Sequence, residues 1–352
     1  MHIGQGLGGW KTLDHYQNHG IMSKTIDTTR VEINKSKRIF EFDLIRSLCM
    51  LYIVGVWHFN DYLVDYSFGG KQNTFYYLTI AVLATFSFVS GYMLRKYEFN
   101  SMEDVWFFYK KRLLRFYPLF ILSAVSLYAM HWMSTKPFLF CIGGLAMFTP
   151  NPVKTLWFIS MLMFLYFITP FVKWKINFNK NNFILSIIFF ILLIILVCFK
   201  VADERILMYS PLYTAGLFCK DLNINKLKWL LILVCSIIMG GIFLIFEIIP
   251  VIQGFAIAVF GCSFIVSLGF LLPTNKSIER IVGVMAYCSM AAYLFHRQIF
   301  GVAIILFGIQ GINGTYLQLW IAVLTLVVVG VFSWLLQYGY DWILKKVVDR
   351  HK

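Results

Sequence analysis

The chain has 352 residues, 59% of them apolar, 18% aromatic and only 14% charged, with a mean hydropathy of +0.73. Soluble domains carry about a quarter charged residues, so an ordinary globular enzyme is excluded. A net charge of +14 would suit a nucleic-acid partner, but the cations cluster between alternate apolar blocks, the pattern by which a membrane protein sets its orientation; nucleic acid has no support.

Residues 1–38 are polar and are expected to form a disordered or extended cytoplasmic N-terminus. Their GQGLGG stretch puts Gly4, Gly6 and Gly9 at G-x-G-x-x-G spacing, yet no strand pattern precedes it and no helical pattern follows, so a dinucleotide site is not indicated. Apolar blocks then fall at 46–66, 75–94, 113–133, 155–172, 182–200, 206–219, 228–246, 250–271, 282–308 and 317–343. At the usual length of a spanning helix they predict an all-α polytopic membrane protein of about ten transmembrane helices. With the N-terminus inside, 25 of the 31 Lys and Arg fall in inner segments and five in outer loops. That bias puts both termini in the cytoplasm. The membrane domain is expected over 39–345, with a cytoplasmic tail at 346–352, in a multi-pass protein of the inner or plasma membrane. The first apolar block comes too late for a cleavable signal and is expected to stay as an anchor.

The first block reads FEFDLIRSLCMLYIVGVWHFNDY over residues 40–62. Asp43 and Arg46 are one turn apart where it enters the membrane, an arrangement that also suits a plain stop charge with its partner. His58 follows about 18 Å further along a regular helix. It is either a hydrogen-bonded structural residue or a general base, with Asp61 one turn on to take its N–H and raise the basicity of the other ring nitrogen. In the second block Ser87, Ser90 and Gly91 form a small-residue patch that permits close helix approach.

The third block is entered through FFYKKRLLRFYPLF. Arg112 and Arg115, three residues apart, read either as inside anchors or as a clamp for phosphate, whose oxygens match guanidinium forks; Arg46, Arg95 and Lys96 share that side. Residues 136–152 are apolar but too short to span and predict a re-entrant or outer-face cap. The fourth block offers Trp157, Tyr166 and Pro170, with aromatic packing the simplest account. The ninth carries His296 and Arg297 near mid-membrane, where an ionisable side chain usually marks a function. The seven cysteines are scattered singly and read as small apolar side chains, so neither a metal site nor a disulfide framework is expected.

Taken in order, these motifs resemble the acyltransferase 3 family, integral-membrane enzymes that acylate cell-envelope polysaccharides. The resemblance rests on Asp43, Arg46 and His58; Phe86, Ser90 and Gly91; Arg112, Arg115 and Pro118; Leu156, Trp157, Tyr166 and Pro170; and Tyr293 and His296. It covers about residues 40–345 and implies ten helices with both ends inside. It also implies transfer of an acyl group, acetyl by default, from cytoplasmic acyl-CoA to a hydroxyl of a cell-envelope or lipid-linked sugar. Arg46, Arg112 and Arg115 would hold the donor's phosphates, and His58 with Asp61 would be catalytic. Ser90, His296 and Arg297 would line the channel, stabilise an oxyanion or contact the acceptor. The implied partners are membrane lipid, acyl-CoA and a glycan acceptor, with a polysaccharide-assembly complex as a further candidate. No permanently bound cofactor is implied.

The chain departs from the family in one respect. Eleven residues, Ser47 to Trp57, separate Arg46 from His58, one more than is usual. On a regular helix this turns the two side chains about 120° apart instead of about 20°. A single π-bulge near Gly55 would absorb the extra residue. The competing expectation is a transporter or exporter of polysaccharide or small solute, for which buried His and Arg are equally suitable. The chain lacks the internal repeat that many transporters show.

Overall fold

The computed structural model describes residues 39–58, 72–149, 153, 155–174, 181–220, 222, 224–245, 250–307 and 315–350. The N-terminal stretch 1–38 and Asp61 lie outside the described residues. The chain divides into two units, residues 41–337 and a smaller one of residues 1–40 with 338–352. In the smaller unit the Lys346 ammonium sits 3.8 Å from the centre of the Trp342 ring. All the described candidate residues belong to the larger unit.

Every apolar block contains a helix. They are α1 (Phe40–Tyr52), α2 (Gln72–Tyr92), α3 (Met102–Ala129), α5 (Leu156–Val172), α6 (Asn181–Cys198), α7 (Arg205–Phe218), α8 (Lys226–Ile245), α9 (Pro250–Leu271), α10 (Lys276–Phe307) and α11 (Thr315–Arg350). The apolar stretch too short to span forms a short helix, α4 (Thr135–Ile142), and a 3₁₀ turn (Ala146–Phe148). Among the described residues six helices (α2, α3, α8, α9, α10 and α11) are long and apolar enough to cross a membrane. Helices α5 and α7 are shorter, with 17 and 14 residues, about 25 Å and 21 Å at 1.5 Å per residue. Six spans are thus shown by length and composition among the described residues.

Contacts fix how the helices run. Ser47 of α1 reaches the Val282 carbonyl, and Arg46 reaches Ser289 of α10. Further along, His58 meets His296, so α1 and α10 are parallel. Helix α3 runs with them, since Ser123 donates to the Leu294 carbonyl and Gln298 to Ser126. In the opposite sense run α2, whose start meets Tyr52 and whose end packs on Phe42, and α5, whose late residue Phe167 stacks on Tyr109 near the beginning of α3. The bundle thus has a proximal end, where α1 starts, and a distal end, which α1 approaches at His58.

The tightest joint is between α2 and α7. A Cβ added at Gly91 would lie 2.0 Å from the Tyr213 carbonyl oxygen, and one at Gly216 would lie 2.1 Å from that of Phe88. Backbone lies on backbone there, as small residues allow in a lipid-facing bundle. Helix α5, apolar on every face, is the buried core element, with Leu156, Phe158, Met161 and Leu165 at most 2% exposed. A helix without a polar side belongs inside protein or in lipid.

Candidate functional site

The site is built on the face that α1 and α10 share. Val282, Ser289 and His296 recur every seven residues along α10, two turns apart, and so line one side of it. Met50 and Val54 of α1 pack with Ala292, Phe300 and Val329 between the polar contacts. At the proximal end the Arg46 guanidinium donates to Ser289 Oγ at 3.3 Å and lies 3.7 Å from Asp43 Oδ1.

Between Arg46 and His58 the helix changes gauge. Ile53–Trp57 is one π turn, closed by the His58 N–H on the Ile53 carbonyl, and Gly55 sits at its middle. A π turn takes up one residue beyond the α-helical count, which returns His58 to within about 20° of the Arg46 face. The bulge expected near Gly55 is there.

His58 is buried, and its Nδ1 lies 2.7 Å from His296 Nε2. The two ring planes are within 4° of parallel. A face-to-face stack would hold ring atoms further apart, so this is a hydrogen bond. His296 is 0% exposed, and its Nδ1 lies 3.1 Å from the Ala292 carbonyl oxygen. A carbonyl can only accept, so His296 Nδ1 carries the proton and its Nε2 is the acceptor. His58 Nδ1 must then be the donor, which leaves the basic lone pair of a neutral His58 on Nε2. His296 thus takes the Nδ1 proton; Asp61, the partner expected from the sequence, lies outside the described residues.

Around the dyad the lining is aromatic. Tyr293 lies 6.5 Å from the His58 ring and 6.1 Å from Phe158, which in turn lies 6.2 Å from Phe86. Arg297 is buried, and both it and Arg205 are within electrostatic reach of the Tyr293 hydroxyl. Arg205 lies 3.9 Å over Trp157 and forks onto Asp203 at 2.6 and 2.7 Å. Burial alone would raise the Asp203 carboxyl, but that fork outweighs it and holds the carboxyl below its usual range.

The proximal rim gathers the cations. Arg112 is half-buried, facing the rings of Tyr97, Phe108 and Tyr166 at 5.6 to 5.8 Å, whereas Arg115 is exposed beside Phe116. Ser90 is half-buried in the last turn of α2, on the rim side and away from the dyad. Lys173, which the sequence offered only as one more inner charge, caps α5 and donates to the Leu94 and Arg95 carbonyls. Arg46 and His58 lie at opposite ends of α1, about 18 Å apart along its axis.

The profile of the acyltransferase 3 family, described as an acyltransferase domain, matches residues 39–338. The chain belongs to the acyltransferase 3 family. No curated protein and no solved structure matches it. Family membership makes the protein an acyltransferase, and the six long apolar helices make it a multi-pass membrane one. The matched span contains every described candidate, from Arg46 and His58 to His296 and Arg297. Among the described residues no group of three or more His, Cys, Asp or Glu is placed to hold a metal ion.

Proposed function

We propose that the protein transfers an acyl group, acetyl first among candidates, from cytoplasmic acyl-CoA to a hydroxyl of a lipid-linked or cell-envelope sugar, across the inner or plasma membrane. The observation that carries this reading is the buried His58–His296 pair, 2.7 Å apart and one α1 length from a cationic rim. The alternating run of the helices supports ten passes with both termini in the cytoplasm. The rim is then the donor's entrance and the dyad lies toward the acceptor's side.

In the proposed reaction the sugar hydroxyl gives its proton to His58 Nε2 while its oxygen attacks the thioester carbonyl. The C–S bond breaks, the ester forms, and the proton passes to the departing CoA thiolate. His296 Nε2, as acceptor from His58 Nδ1, stabilises the imidazolium that forms. Arg297, beside it, is the candidate for the oxyanion, with Arg46, Arg112 and Arg115 assigned to the donor's phosphates and Asp61 to a supporting part in the base.

The test is radiolabelled acetyl-CoA supplied to the purified protein in lipid nanodiscs with lipid-linked oligosaccharide extracted from the host membrane. Label should appear in the sugar with the wild type and not with His58→Ala. Full transfer by His58→Ala would remove that residue from the mechanism. No transfer by the wild type, with the sugar carried across sealed vesicles instead, would favour an exporter.

A further inference from the structure

The rim holds more cation than the clamp read from the sequence. The connector from α2 to α3, residues 93–101, is tied to the end of α5: Phe99 bridges Trp174, and Lys173 Nζ donates to the carbonyls of Leu94 and Arg95. Over this connector the Arg95 guanidinium stacks 3.7 Å from the Tyr92 ring and donates to the Tyr92 carbonyl at 3.3 Å. Arg112 faces Tyr97 of the same connector at 5.7 Å, and its Nε is enclosed without a hydrogen-bond acceptor among the described residues.

What holds these cations in place matters. Carbonyls hold Lys173 and rings face Arg112, and such groups orient a cation while leaving its charge in force. Glu98, exposed on the connector, is the acid within electrostatic reach of Lys173. Lys173 and Arg112, both set against this connector, make a seat for a multiply charged anion. Lys173 has three N–H donors; two go to carbonyls, and the third suits an anionic oxygen.

We propose that Lys173, with Arg95 and Arg112, binds a phosphate ester of the donor, with the 93–101 connector as its cradle. This rests on the acyl-CoA reading above and adds Lys173, which the sequence did not assign to the donor. The shared chemistry is a phosphate ester at the membrane edge, and an anionic lipid headgroup would present the same group.

The experiment compares acetyl-CoA with acetyl-pantetheine, which carries the thioester but no phosphate, in nanodiscs of neutral lipid and of neutral lipid mixed with phosphatidylglycerol. For Lys173→Met the KM for acetyl-CoA should rise about tenfold, as loss of one charge-assisted hydrogen bond implies. The KM for acetyl-pantetheine should stay level, and Lys173→Arg should restore most of the loss. Equal damage with both donors would make Lys173 merely structural and overturn the proposal; so would no change with either. An effect confined to the anionic nanodiscs would assign the site to lipid and also overturn it. Calorimetric binding of CoA alone separates this proposal from the acyl-transfer reading: wild-type binding weakened about tenfold by Lys173→Met supports the cradle even where no transfer is seen. Should Lys173→Met fail to assemble, Lys173→Gln keeps an N–H for the carbonyls without the charge.

Discussion

His58 donates its Nδ1 proton to His296 Nε2 across 2.7 Å, and the Ala292 carbonyl at the far side of His296 fixes the direction of that bond. In the proposed reaction the pair acts as base and orienter: His58 is kept in the tautomer whose outer nitrogen accepts a proton, and His296 stabilises the charge that forms on it. His296→Leu should therefore leave KM for the donor near its wild-type value and lower kcat about a hundredfold or more, the usual scale for an impaired general base. His296→Gln places an oxygen near the lost Nε2 and should recover part of that loss. Steady-state kinetics on the two variants check this. Equal kcat for Leu and Gln would mean that His296 does not act through the His58 proton.

The π turn at Ile53–Trp57 exists because the chain holds one residue too many between Arg46 and His58. Deleting Gly55 should let the segment close as ordinary α-helix and keep His58 within about 20° of its present bearing. Activity should stay within about threefold of wild type, a loss of under 1 kcal/mol in transition-state stabilisation. Inserting an alanine at the same place turns His58 by about 100° and should abolish transfer. If deletion were as damaging as insertion, the bulge would be serving something besides register. Gly55→Ala is milder: its Cβ would lie 3.3 Å from a Leu326 methyl, which is free to give by a few tenths of an ångström.

At the α2–α7 joint no such give is available. Gly91→Ala brings a methyl to 2.0 Å from the Tyr213 carbonyl oxygen, so the two helices must part along their contact. Overpacking of that kind costs about 1–3 kcal/mol or more, and because α7 carries Tyr209 and Arg205, the dyad's surroundings should shift with it. Thermal unfolding of the purified protein should show a clear loss for Gly91→Ala and none for Gly241→Ala, where nothing lies within 4 Å. Equal stability for the two variants would contradict the close approach.

Much of this was legible in the chain. The apolar blocks each contain a helix because long runs without charge have few alternatives in lipid. The Ser87–Gly91 patch announced a close approach, and the extra residue before His58 announced the bulge. The partner of His58 was harder to see. His296 lies 238 positions away, and no local spacing links the two. The split between Arg112 and Arg115 was also hidden: three residues apart suggests one face, but the rings of Tyr97 and Tyr166 draw one guanidinium inward and leave the other outside.

Lys173 gives the last prediction, and its sign follows from burial. Removal from water pushes the ammonium down to about 8, with Glu98 opposing that shift and Arg95 adding to it. The charged form is the one that binds phosphate, so below pH 8 the donor's KM should be level. Above that value the free protein loses the charge, and KM for acetyl-CoA should climb to a plateau about tenfold higher, the loss expected for Lys173→Met. A bound phosphate favours the ammonium, so kcat at saturating donor should not follow the same curve. Lys173→Arg stays charged throughout and should flatten the alkaline rise, while acetyl-pantetheine should show no rise with either protein. Measuring KM for both donors between about pH 7 and pH 10 separates this group from the histidine pair. The dyad affects kcat for both donors alike, whereas the lysine should affect only the donor that carries phosphate. An alkaline rise that survived in Lys173→Arg would belong to another group and would remove Lys173 from the donor's seat.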